Sequence, residues 1–105
     1  EAIDYLEDFK SDDKVLSALS LGGLGDAFMQ LGQPEDALGY YEKAFADSNN
    51  DYTTPKFLYK AGVTALEMGS NEKALGYFQR IKDEFSNSEA AKSIDAFIGM
   101  AKSGA

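Results

Sequence analysis

Gly25-Asp-Ala-Phe-Met-Gln-Leu-Gly32, followed at once by Pro34-Glu-Asp-Ala37-Leu-Gly39-Tyr-Tyr41, is the stretch that decides the fold. A shift of 37 residues brings the same grammar back as Gly62-Val-Thr-Ala-Leu-Glu-Met-Gly69 and Asn71-Glu-Lys-Ala74-Leu-Gly76-Tyr-Phe78. The pairs Gly25/Gly62, Gly32/Gly69, Ala37/Ala74, Gly39/Gly76 and Tyr40/Tyr77 keep register without a gap. An internal repeat of this length is the signature of stacked supersecondary units. Gly25 and Gly62 are poor helix residues, each costing about 1 kcal/mol against Ala. They make sense where a neighbouring helix comes close, with Ala37 and Ala74 as small partners and Phe28, Tyr41, Phe78 and Ile81 filling the space beside them.

Outward from this stretch the apolar residues recur at three and four, which is helical spacing. Ala37, Tyr40, Tyr41, Ala44 and Phe45 form one stripe, and Ala74, Tyr77, Phe78 and Ile81 another. Strand-like alternation is absent. The spacing predicts helices over 1–9, 13–31, 35–48, 54–68, 71–85 and 88–102. Pro34 and Pro55 suit first-turn positions, where no backbone donor is lost. Asp12 or Asp13, Thr53 or Thr54, Ser70 or Asn71, and Ser86 or Ser88 are the expected N-caps. Gly32 and Gly69 fit C-terminal stops in the left-handed conformation.

The pattern resembles the tetratricopeptide repeat (TPR), whose signature runs an aromatic (Trp), two residues, Leu-Gly, two residues, an aromatic, then Ala-x3-Phe. The first repeat reads Leu21-x2-Leu24-Gly25-x2-Phe28, then Ala37-x3-Tyr41. The second reads Leu58-x2-Ala61-Gly62-x2-Ala65, then Ala74-x3-Phe78. Leu21 and Leu58 replace the signature Trp, and Asn49 and Ser86 stand where the family often has Pro. The resemblance implies an all-α fold: antiparallel helix hairpins in a right-handed superhelical solenoid, about two full repeats plus flanking helices. Residues 1–10 (Ala2-x3-Leu6 with Ile3 and Phe9) are expected as the second helix of a preceding repeat. Residues 13–50 and 53–86 are the repeats, and 88–102 a terminal capping helix, all within one domain over 1–105. That helix has Ala90, Ala91, Ile94, Phe97, Ile98 and Met100 on one apolar side.

The sequence of 105 residues carries net charge −8 and contains neither Cys nor His. That removes thiolate nucleophiles, the usual general base and the commonest soft metal ligands. An acidic balance argues against binding phosphate backbones, so no nucleic-acid partner is expected. The longest uncharged stretch, Val15 to Gly25, is too short to span a membrane and carries Ser and Gly. Opening at Glu1 inside a periodic pattern, the chain reads as a piece of something longer. The cluster Gly22-Gly23-x-Gly25 lacks the spacing and the Lys-Ser/Thr of a phosphate loop. It reads as a tightly packed helix or, if Gly22 and Gly23 face a groove, as room for a ligand backbone. Asp47-x-Asn49-x-Asp51 lacks the Gly and the bidentate Glu of a calcium loop and reads as a polar turn. Adjacent acids such as Glu35 and Asp36 point apart on a helix and cannot form an opposed catalytic pair. The expectation is a non-catalytic protein with no cofactor and no metal.

The resemblance implies that the first helix of each repeat lines a concave groove. Ligand-contacting positions then map to Asp26, Met29 and Gln30 in the first repeat, and to Lys56, Tyr59, Lys60 and Val63 in the second. Leu19, Gly22, Gly23, Leu66 and Glu67 map to the same surface. Lys56 and Lys60 lie one turn apart on one face. In family members that grip a carboxylate, basic residues occur at matching positions, but Asp26 and Val63 replace the companion Asn residues. The implied function is a protein-interaction scaffold that holds a partner protein or peptide in the groove. The alternative is a self-association module whose repeat edges join copies into a homo-oligomer. Tyr40 and Tyr77, matched across repeats, are expected to pack between helices. The junction Phe85-Ser-Asn-Ser-Glu-Ala-Ala91 resembles those of bacterial envelope repeat proteins, which implies an envelope or periplasmic location.

Overall fold

The structure, a computed structural model, describes residues 10–46 and 48–103, with side chains from residue 13 onward. Among the described residues every regular element is helical. They are α1 (Lys10–Gln30), α2 (Pro34–Ala46), α3 (Thr54–Glu67), α4 (Asn71–Glu84), a 3₁₀ turn (Glu89–Ser93) and α5 (Ile94–Ser103). The helix expected over 1–9 lies outside the described residues. No described helix is long and apolar enough to cross a membrane.

The hairpins α1–α2 and α3–α4 close through the same turn. Gly32 and Gly69 hold φ of 73° and 81°. Beyond each, an amide reaches back across the turn: Gln33 N–H donates to the Phe28 carbonyl, and Ser70 N–H to that of Ala65. These are the six-to-one bonds that satisfy a helix's last carbonyls. A side chain at either position would have to adopt a backbone that only Gly enters freely.

Small residues set the hairpin interiors, as the sequence predicts. A Cβ at Gly25 would enter the Tyr41 ring, and one at Gly62 would enter the Phe78 ring. These contacts are equivalent under the 37-residue shift. The core forms two clusters. Ala18, Ala37, Leu38, Tyr41, Ala44, Phe57 and Ala61 fill the space among α1, α2 and α3. Leu58, Ala65, Ala74, Phe78, Ile81, Phe85, Ile94, Ile98 and Ala101 fill that among α3, α4 and α5. Phe45 and Tyr77 pack against both, ring edge to ring face, with centroids 5.3 Å apart. Tyr40 stacks on Phe28 at 5.2 Å, so both matched tyrosines pack between helices.

Several boundaries differ from expectation. Asp12 and Asp13 lie within the helix that runs through Lys10–Gln30 rather than before it, so neither is its N-cap. Neither Thr53 nor Ser70 makes a side-chain cap. Asn50 instead orders the turn that leads into α3: its Oδ1 accepts from the amides of Tyr52 and Thr53, both at 2.8 Å. Thr54 then closes the connection, accepting from Asn50 N–H and donating to the Ser48 carbonyl. Asn50 thus spends its acceptor on backbone amides, which makes residues 48–51 the entrance to α3, while Asp47 of the expected polar turn lies outside the described residues. Among the described residues no cluster of acids is arranged to hold a metal ion. The segment over 88–102 is broken in two, because the Ser88 hydroxyl accepts from Ala91 N–H and tightens the start into a 3₁₀ turn. Within α5, Ile94, Ile98 and Ala101 are buried, while Met100 is exposed rather than on the apolar side.

Candidate functional site

A cleft of about 540 Å³ opens between the N-terminal half of α3 and the 3₁₀ turn. From α3 it is lined by Pro55, Lys56, Tyr59 and Lys60, one flank of a helix sampled at three and four. From the connection before α3 come Asp51 and Tyr52, and from the 3₁₀ turn Ser88, Glu89, Ala90 and Ser93. Each element is held by its own local chemistry. The Asn50 side chain fixes where Tyr52 leaves the turn, and the Ser88 hydroxyl fixes the opposite wall. Tyr59 stands edge-on to Phe97 at 5.2 Å, which anchors the cleft to α5.

Lys60 does not point freely into the cleft. Its Nζ donates to both carboxylate oxygens of Asp26, at 2.8 and 2.9 Å, tying α3 to α1. The Tyr41 hydroxyl donates to the same carboxylate at 2.5 Å. Partial burial pushes the Asp26 carboxyl up, but these two hydrogen bonds and the charges of Lys60 and Lys56 outweigh it and hold the group below its ordinary range. Burial, with Asp26 as acceptor, raises the Tyr41 phenol above its ordinary range. Burial and the bond to Glu42 do the same for Tyr77. Lys56 is exposed, has no ion-pair partner among the described residues, and lies 5.5 Å from the Phe57 ring centre. It is therefore the free cation of the cleft, facing a lining that also carries Asp51 and Glu89.

Of the seven groove residues read from the sequence, Lys56, Tyr59 and Lys60 line this cleft. Asp26 sits beside it as the anchor of Lys60. Met29 turns to α3, where its sulfur lies 3.9 Å from the Thr64 hydroxyl, and Val63 packs on the second core cluster. Gln30 is exposed at the end of α1, away from the lining. Gly22 does not leave room for a ligand backbone: it is buried, and a Cβ there would enter the Phe57 ring. Gly23 is open. Sequence reasoning missed Tyr52, Ser88 and Ser93. The one available signal was the repeat period of 37 rather than 34, which lengthens the connection that carries Tyr52.

Against known families, residues 57–88 match the Tetratricopeptide repeat model. The match supports a tetratricopeptide repeat over this stretch. The match covers most of α3 and all of α4, and it ends at Ser88 on the cleft wall. Comparisons with curated proteins and with solved structures return no match. Tetratricopeptide repeats generally mediate protein–protein interaction and are generally non-catalytic scaffolds.

Proposed function

We infer that the chain is a non-catalytic protein-interaction scaffold and that the cleft on α3 holds an extended segment of a partner protein. Residues 13–50 and 53–86 serve as its two repeats and 88–102 as the closing element. The observation that carries this reading is the mixed lining. Pro55, Tyr52 and Tyr59 offer apolar surface, Lys56 offers an unpaired charge, and Ser88 and Ser93 offer hydroxyls. Tyrosine is favoured at such surfaces because it joins apolar area to a polar tip at low entropic cost. The fold supports the same reading, since one wall stands on α3 and the others on a connection pinned by Asn50 and a 3₁₀ turn pinned by Ser88.

Selection from a displayed random-peptide library tests this directly. Enriched peptides should shift the amide signals of Lys56, Tyr59 and Ser93. The Tyr52→Ala/Lys56→Glu variant, altered only at exposed side chains, should lose them while keeping its helical signal. Peptides that map to α2 or α4, or that bind the variant equally well, would remove the cleft from the reading.

A further inference from the structure

Two cavities meet at the entrance to α3, and their charges differ from end to end. The cleft described above and a second cavity of about 330 Å³ share Asp51 and Ser88 as a common sill. The second is otherwise lined by Glu84, Phe85, Ser86 and Asn87, where α4 ends. Together they make one groove that runs from Lys60, over the sill, to Glu84. Most charges along it are already matched within the chain. Lys60 pairs with Asp26 at 2.8 Å, Lys92 with Glu89 at 3.2 Å, and Arg80 with Glu84 at 3.2 Å. Two charges are left over. Lys56 and Asp51 are exposed, and neither has an ion-pair partner among the described residues. They also stand in different places. Lys56 lines the first cavity alone, whereas Asp51 borders the second, whose lining holds no cation.

We propose that the occupant of this groove is an extended partner segment bearing one acidic and one basic side chain, the acid on Lys56 and the base on Asp51 with its head in the second cavity. This rests on the scaffold reading and names the chemistry of the partner. Exposed charges add little affinity in water, so the contact area comes from Tyr52, Pro55 and Tyr59. What the two charges add is choice. A segment of one sign meets one attraction and one repulsion, and a charge pair in the wrong order meets two like charges. Register and direction along the groove are thereby fixed together. Asp26 sharpens the choice from outside the lining. By holding Lys60 with two hydrogen bonds it removes the second cation that would otherwise favour a wholly acidic segment. The net charge of −8 repels such a segment at long range as well.

Selections from one displayed random-peptide library on wild type, Asp51→Lys and Lys56→Glu test it. Wild-type peptides should share an acidic and a basic residue at one spacing, and exchanging the two in a synthetic copy should weaken binding by roughly tenfold. Asp51→Lys should replace only the basic residue by an acidic one, and Lys56→Glu only the acidic residue by a basic one. The milder Asp51→Asn and Lys56→Gln should each erase the preference at one position and keep the other. Peptides that shift the amides of Lys56, Tyr59 and Ser93 but lack the charge pair overturn the proposal and leave the scaffold reading standing. So do peptides whose charges ignore the two reversals. Peptides that bind away from the cleft, or no enrichment at all, overturn both.

Discussion

The two hairpins place the same geometry over different chemistry. In the first, the Gly25 face lies on Tyr41, whose hydroxyl reaches Asp26, which in turn holds Lys60 of the next hairpin. In the second, the Gly62 face lies on Phe78, and the positions equivalent to Asp26 and Lys60 are Val63 and Phe97. Phe78 and Phe97 sit 5.4 Å apart, and Val63 packs on the same cluster. One layer is thus a hydrogen-bonded ion pair, 30 and 45 % exposed, and the other a ring cluster. The repeat conserves shape at the glycine and lets either chemistry fill the seam. Shape comes first because a half-exposed ion pair contributes little net stability, whereas a buried ring contributes much.

The largest break in this comparison should come from Phe78→Ala. Phe78 is fully buried, and its loss should cost about 3–5 kcal/mol, read as a lower urea midpoint. A cost comparable to that of an exposed substitution would mean that the second layer is not the principal core. Next is Asp26→Asn, expected to cost about 1 kcal/mol at neutral pH, as one charge-assisted contact at a half-exposed site does. Its sign with pH is fixed. The Asp26 pKa is depressed in the folded chain, so its contribution is present above the ordinary carboxylate value and lost as pH falls through the folded value. Wild type and variant should therefore converge in acid. A gap that widens toward acid would reverse the assignment. Smallest is an alkaline effect. Tyr41 and Tyr77 hold their protons above the ordinary phenol range, so they stabilise the fold below that range and lose the effect as pH rises through their folded values. An absorbance titration should show a late phenolate step that shrinks in Tyr77→Phe. An unchanged step would place the raised groups elsewhere.

What the sequence reveals of this divides along physical lines. The turns at Gly32 and Gly69 are legible because only Gly enters a positive φ at low cost, and a stop signal spaced by the repeat leaves one place for it. The close contacts at Gly25 and Gly62 are legible for a different reason: Gly is disfavoured inside a helix, so a matched pair of helical glycines marks the close approach of a neighbouring ring. The entrance to α3 is not: two Thr residues stand nearer to Pro55, yet Asn50 supplies the oxygen because its longer, two-sided amide reaches the amides of Tyr52 and Thr53 and the Thr53 hydroxyl at once. The 3₁₀ turn is hidden because apolar spacing cannot tell it from one helical turn. At the cleft, Lys56, Tyr59 and Lys60 are legible as one helical flank. The pairing of Lys60 with Asp26 depends on how two hairpins register, which no local pattern encodes. Tyr52 and Ser88 meet only because the chain returns after a whole helix pair.

The packing of each helix on its neighbours in the chain has a consequence for how the protein is made. The principal contacts run α1 to α2, α2 to α3, α3 to α4 and α4 to α5. Among the described residues most contacts join helices that are neighbours in the chain, so little loop-closure entropy must be spent before they form. A growing chain can close its first hairpin while the second is still in the ribosome tunnel, then offer that hairpin as a ready seat for α3. The order of synthesis is also an order of assembly, and the molecule is built the way a wall is laid, course on course.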